Sequence, residues 1–111
     1  MWLFTEHGFY SIVKKAKGEW HVRARLRADL LRLVPLLPGS PVVQKSYPGS
    51  DYPWRILINA RQKASLFQHL SKIEYGNFKG RVAEDPEQRS RLPVYHEVWH
   101  LMAGVPKSAT E

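Results

Sequence analysis

The sequence has no cysteine among its 111 residues. That excludes a disulfide framework and a thiolate metal site, and leaves histidine and the carboxylates as the strong metal-ligating side chains. Long apolar runs are also missing: none approaches the roughly 20 residues that span a bilayer. The opening Met1-Trp2-Leu3-Phe4 is broken at once by Glu6 and His7, unlike the apolar core of a signal peptide. A soluble cytoplasmic protein without a membrane partner is the expectation. No internal repeat and no dividing linker is present. The glycine-bearing stretch Gly76-Asn77-Phe78-Lys79-Gly80 is neither a phosphate-binding P-loop nor a KH-type GxxG. No Ser/His/Asp arrangement stands in a recognisable context and no close carboxylate pair offers acid–base chemistry, so no catalytic residue is assigned. A non-enzymatic protein is the leading reading.

Acidic residues are outnumbered, ten against seventeen lysines and arginines, for a net charge of +7. The imbalance is local. Residues 14 to 63 hold eleven basic residues against Glu19, Asp29 and Asp51, a net of +8, and the remainder sums to −1. A basic half raises the prospect of a polyanionic partner, RNA or DNA, against the alternative that the charge serves solubility. A hydrophobic fraction of 43% is ordinary for a globular chain. It supports one domain over residues 1–104, followed by a flexible tail at 105–111.

Two periods organise the chain. Trp2-Leu3-Phe4 and Phe9 to Lys14 are β-rich runs about Glu6-His7-Gly8, forming a hairpin or one strand with a glycine bulge. After a turn at Lys15 to Gly18, residues 19–27 alternate. Trp20, Val22, Ala24 and Leu26 fall on one face; His21, Arg23, Arg25 and Arg27 fall on the other. From Ala28 the spacing turns helical through Leu30, Leu31 and Val34, and Pro35 and Pro38 end it. Short strands follow at 42–47 and 54–58, on either side of the turn-rich Pro48-Gly49-Ser50-Asp51. Asn59 is placed to cap a helix carrying Leu66, Phe67, Leu70 and Ile73. A second capped segment begins at Asn77, a polar surface loop runs from Ala83 to Arg91, and a last helix from about Leu92 carries Tyr95, Val98, Trp99 and Met102. The expected fold is α+β, an antiparallel sheet of four or five strands with helices on one face. Its ββαββα order, with C-terminal helices added, is a circular permutation of the ferredoxin-like plait. Trp20, Val22, Leu26, Trp54, Ile56, Ile58, Leu66, Phe67 and Leu70 are the expected core.

The segments MWLFT, GFYSIV, VRARLRADL, DYPWR, IEYGNFK and YHEVW, in that order, resemble a family of small uncharacterised bacterial proteins of similar length. The resemblance runs from Met1 to about Ala103 and implies a shared α+β fold and intracellular residence. It implies no activity, cofactor or partner. Its C-terminal segment is Tyr95-His96-x-Val98-Trp99, so His100 lies outside the pattern.

His100 matters because His96-Glu97-Val98-Trp99-His100 matches HExxH. On a helix that spacing puts two imidazoles on one face to hold zinc, with Glu97 as general base of a zinc-dependent hydrolase. The HExxHxxGxxH extension is absent. A third ligand would have to be His69, His21, Glu74 or the distant Glu111. The competing reading is a surface histidine pair without zinc.

The basic strand face is the better-supported constellation. His21, Arg23, Arg25 and Arg27 emerge together if the alternation holds, joined by Arg55 and by either Lys14 with Tyr10 or Lys15 with Phe9. Arginines with aromatics on an open sheet face are how RNA-recognition sheets hold phosphates and stack bases. The closely spaced aromatics of RNP1 are missing here. The same face suits a homo-oligomer or another protein, because arginine serves interface burial equally well. Asp51-Tyr52-Pro53-Trp54-Arg55 reads as an element end with its rings in the core, Asp51 being placed to pair with Arg55 or a neighbouring arginine.

Overall fold

The structure is a computed structural model that describes residues 1–46 and 48–107. Tyr47, where the strand expected at 42–47 ends, and the last four residues of the expected tail lie outside the described residues. The chain divides into two compact units, Met1–Glu74 and Tyr75–Glu111.

In the first unit the period-two segments build an antiparallel sheet. Strands β1 (Trp2–Thr5) and β2 (Gly8–Ala16) form a hairpin about Glu6-His7, settling the choice between hairpin and bulged strand. Strand β3 (Glu19–Ala24) follows, with a register shift between Lys14 and Ala16. The helical spacing yields α1 (Arg27–Leu33), which stops short of Pro35 because proline lacks the backbone donor that would continue it, and one 3-10 turn (Val34–Leu36) that carries Pro35 near its start. Strands β4 (Gln44–Lys45) and β5 (Trp54–Ile58) complete a five-stranded sheet of order β1-β2-β3-β5-β4. Every neighbouring pair is antiparallel. β3 and β4 therefore run parallel with β5 between them, joined through α1. This split β-α-β arrangement, with β2 beside β3, is the strand order of the circularly permuted ferredoxin-like plait; β1 is an added edge.

Helix α2 (Ala60–Leu70) starts at a capping box. Asn59 Oδ1 accepts from the Gln62 N–H and Gln62 Oε1 accepts from the Asn59 N–H, both at 2.9 Å. Gln62 Nε2 donates to Pro38 O and Ser65 Oγ donates to Leu36 O, tying α2 to the segment after α1. The core lies where α1 and α2 meet one sheet face. Tyr10, Ile12, Val22, Ala24, Ile56 and Ile58 come from the strands, and Leu30, Leu33, Leu37 and Leu66 from the helical side. Burying each large aliphatic side chain contributes about 1.5–3 kcal/mol. Trp20, Trp54, Phe67 and Leu70, expected in the core, are partly buried and pack at its margin. Leu26 does not. At 49% exposure it is the extended N-cap of α1, where the chain has already left the sheet. Leu31 and Ile73 are exposed as well, the latter beyond the end of α2.

In the second unit Asn77 caps α3 (Phe78–Ala83) by accepting from the Gly80 N–H at 2.9 Å, and α4 (Leu92–Met102) begins with proline in its first turn. Phe78 lies between Tyr75 and Tyr95, and Val82 and Tyr95 are buried. The segment between the helices is not wholly a surface loop. Gln88 is fully buried, its Nε2 donating to Asp85 Oδ2 at 2.9 Å. A paired amide is tolerated inside where an unpaired one is not. Trp99 and Met102, expected to pack as an apolar stripe, are about 60% exposed.

Candidate functional site

The sheet face opposite α1 and α2 carries the residues that alternate with the core. Arg23 on β3 stands directly across from Arg55 on β5. Like charges directly opposite on one face repel, yet both are held by neutral partners. Arg23 Nη2 donates to Ser11 Oγ at 2.7 Å, and Arg55 Nε donates to Ser46 Oγ at 2.8 Å. Arg55 Nη1 donates to His21 Nδ1 at 3.0 Å, while His21 Nε2 lies 2.8 Å from Glu19 Oε1. Because a guanidinium only donates, the contact with Arg55 is a hydrogen bond in the tautomer whose Nδ1 accepts and whose Nε2–H points toward Glu19. Protonation at Nδ1 would break the bond from Arg55. Among the described residues neither guanidinium is paired with a carboxylate, and Arg23 Nε is buried without a hydrogen-bond partner.

The face is only partly open. The segment from Pro48 to Pro53 folds over it, bringing the Tyr52 ring 4.7 Å from the Arg23 guanidinium and 5.5 Å from that of Arg25. Tyr52 also lies 6.4 Å from Phe9, which stacks on Phe4. Tyr52 thus does not place its ring in the core; the ring covers arginine on the polar face. What remains is a groove of about 560 Å³ lined by Trp2, Lys15, Arg23, Arg55 and the Gly49–Tyr52 turn. Trp2 is 71% exposed. Asp51 lines this groove with both arginines, and no ion pair joins it to either among the described residues.

Of the residues singled out from the alternation, the structure brings together His21, Arg23 and Arg55, with Arg25 beside them over Tyr52. Arg27 lies apart from this group. The strand ends at Ala24, Arg27 opens α1, and its guanidinium sits 5.9 Å from the Trp54 ring. Trp54 packs against the core, so Arg27 belongs to the helix side. The paired alternatives resolve as Lys15 with Phe9. Tyr10 is buried, its hydroxyl donating to Asp29 O at 2.7 Å, and Lys14 lies with Lys63 against Trp20. Trp2 and Ser50 were not singled out beforehand. The signal available was an aromatic at the edge of an alternating strand, readable only once β1 was known to pair with β2.

The HExxH residues lie on the exposed surface of α4. The His96 ring stacks on Trp99 at 5.6 Å and its Nδ1 lies 3.5 Å from Lys79 Nζ. Among the described residues no three His, Asp or Glu side chains are grouped so that they could hold a metal ion; Glu111 lies outside them. Likewise, no described helix is long and apolar enough to cross a membrane. Compared with known protein families, with curated proteins and with solved structures, the chain matches none.

Proposed function

We propose that the Met1–Glu74 unit is a non-enzymatic binding module for single-stranded nucleic acid, RNA or DNA. One observation carries it: Arg23 and Arg55 stand side by side, held by hydroxyls and an imidazole instead of carboxylates, beside Lys15 and an exposed tryptophan. Two unneutralised guanidiniums in a fixed orientation are a standing cost to the fold that a phosphate would relieve. Trp2 supplies a stacking surface, and stacking accepts any base.

Contact through Lys15, Arg23, Arg25 and Arg55 releases condensed counterions, so log K should fall against log salt with a slope near −3 on single strands, from about −0.7 per phosphate. Replacing Arg23 and Arg25 together should flatten that slope by roughly 1.5 units. The measurement is anisotropy of labelled single-stranded RNA and DNA, with heparin as a control for unspecific attraction. Absence of binding to both strands at low salt refutes the reading.

A second reading, association with another protein or a second copy, is favoured by the apolar surface of α4, where Val94, Trp99, Leu101 and Met102 are each about 60–70% exposed. Molar mass measured across protein concentrations tests it. A concentration-dependent dimer that a Trp99→Asp/Leu101→Asp variant abolishes would establish it.

A further inference from the structure

We infer that the groove between Trp2 and the Gly49–Tyr52 turn recognises a terminal phosphate of a nucleotide, either the end of a strand or a free mononucleotide. The inference rests on the nucleic-acid reading for its ligand class and goes beyond it in naming an end.

Charge is the first ground. An internal phosphodiester carries one negative charge, whereas a phosphate monoester approaches two above its second pKa of about 6. The groove gathers Lys15, Arg23 and Arg55 against the single carboxylate of Asp51, leaving two positive charges. A dianion matches that; a diester leaves one cation unanswered.

The second ground is donor geometry. Arg23 and Arg55 each spend part of their fork on Ser11, Ser46 and His21. Those bonds fix the two planes across one strand pair, with donors left over on both. Two neighbouring forks suit an anion presenting three terminal oxygens better than the two free oxygens of a diester.

Shape is the third. A continuous strand needs an unobstructed track, and here the Pro48–Pro53 segment crosses the face with Tyr52 packed on Arg23, Arg25 and Phe9. The remaining space, about 560 Å³, lies within the roughly 300–1,000 Å³ usual for small-ligand sites. Trp2 lines the same space and is exposed to take the base attached to that phosphate.

The test uses the full chain and three octanucleotides of one sequence, carrying a 5′-phosphate, a 3′-phosphate or hydroxyls at both ends, each labelled away from the varied end. Anisotropy is read at one fixed low salt, and a nucleoside monophosphate and inorganic phosphate serve as competitors. One phosphorylated strand should bind at least about tenfold tighter than the hydroxyl-ended strand, the size expected of one further charge-assisted contact. Arg55→Gln should erase that preference. Arg23→Lys, which keeps the charge but loses the fork, should reduce it, and Trp2→Ala should weaken the mononucleotide more than inorganic phosphate. Melting curves of each variant exclude misfolding, and Arg23→Lys with Trp2→Ala carries the test if Arg55→Gln does not fold. Equal binding of all three strands, with the salt slope intact, overturns end recognition and leaves strand binding standing. Binding of the mononucleotide without any strand keeps the terminal-phosphate site and removes the strand reading. Inorganic phosphate competing as well as the mononucleotide overturns the role of Trp2 and with it the inference.

Discussion

Replacing Gly8 with alanine tests the tightest backbone approach in the first unit. Gly8 opens β2 with φ +152°, a region that residues bearing a Cβ rarely occupy. A Cβ there would stand 2.6 and 2.8 Å from the two carboxyl oxygens of Asp29. Asp29 is 2% exposed and cannot swing into water without repacking. Its Oδ2 accepts from the Phe9 N–H at 3.2 Å, and its backbone carbonyl accepts from Tyr10. The dihedral alone costs about 1–3 kcal/mol. Crowding of a packed interior adds about 1–3 kcal/mol. Gly8→Ala should therefore destabilise by roughly 2–6 kcal/mol, a large share of the about 5–15 kcal/mol that holds a domain together. Gly18→Ala is the control, since Gly18 also has positive φ, +73°, but meets nothing within 4 Å of a built Cβ. It should cost only the left-handed penalty, about 1–2 kcal/mol. Urea denaturation of both variants, at unchanged m-value, gives the difference. Adding Asp29→Ala to Gly8→Ala should recover part of the loss, so the two changes are non-additive. If Gly8→Ala costs no more than Gly18→Ala, the close approach between β2 and α1 is wrong.

Leu66→Ala should cost about 2–5 kcal/mol because Leu66 is fully buried, whereas Leu70→Ala, at the margin of the core, should cost visibly less by the same denaturation measurement. Asn59→Ala removes one half of the capping box and should lower stability by about 1 kcal/mol, with Asn59→Asp largely retaining it. For the HExxH pair the expectation is purified protein without stoichiometric zinc and a melting temperature indifferent to chelator and to His100→Ala. One bound equivalent that His100→Ala releases would reverse that expectation and restore the hydrolase reading.

Much of the first unit was legible in the residues because periodicity acts locally. Val22 and Ala24 flank Arg23 and Ile56 follows Arg55, so they face inward when those charges face out, with Ile58 keeping the same period, and Asn59 announced α2 through a cap that needs only Gln62 three residues on. Errors fell where a local period meets a tertiary junction. The alternation of Arg23, Arg25 and Arg27 continues in sequence past Ala24, but the strand does not, since the chain must leave the sheet to cross over it. Leu26 and Arg27 therefore changed sides together. Gln88 was missed for a related reason: a polar residue in a polar stretch gives no sign that a nearby carboxylate will satisfy it indoors.

The sequence by itself determined the α+β class, the antiparallel pattern, the basic character of one sheet face and the lack of any thiol chemistry, because each follows from residue type and spacing along the chain. Only the tertiary structure decided that Arg23 lies across from Arg55 and that Lys15, not Lys14, joins them. It alone decided that Tyr52 folds back over the arginines and that Trp2 is left exposed beside the resulting groove. Those are outcomes of strand register and of a turn packing on a distant strand. Register is set by the sum of core contacts across the whole sheet, which no single stretch of sequence displays.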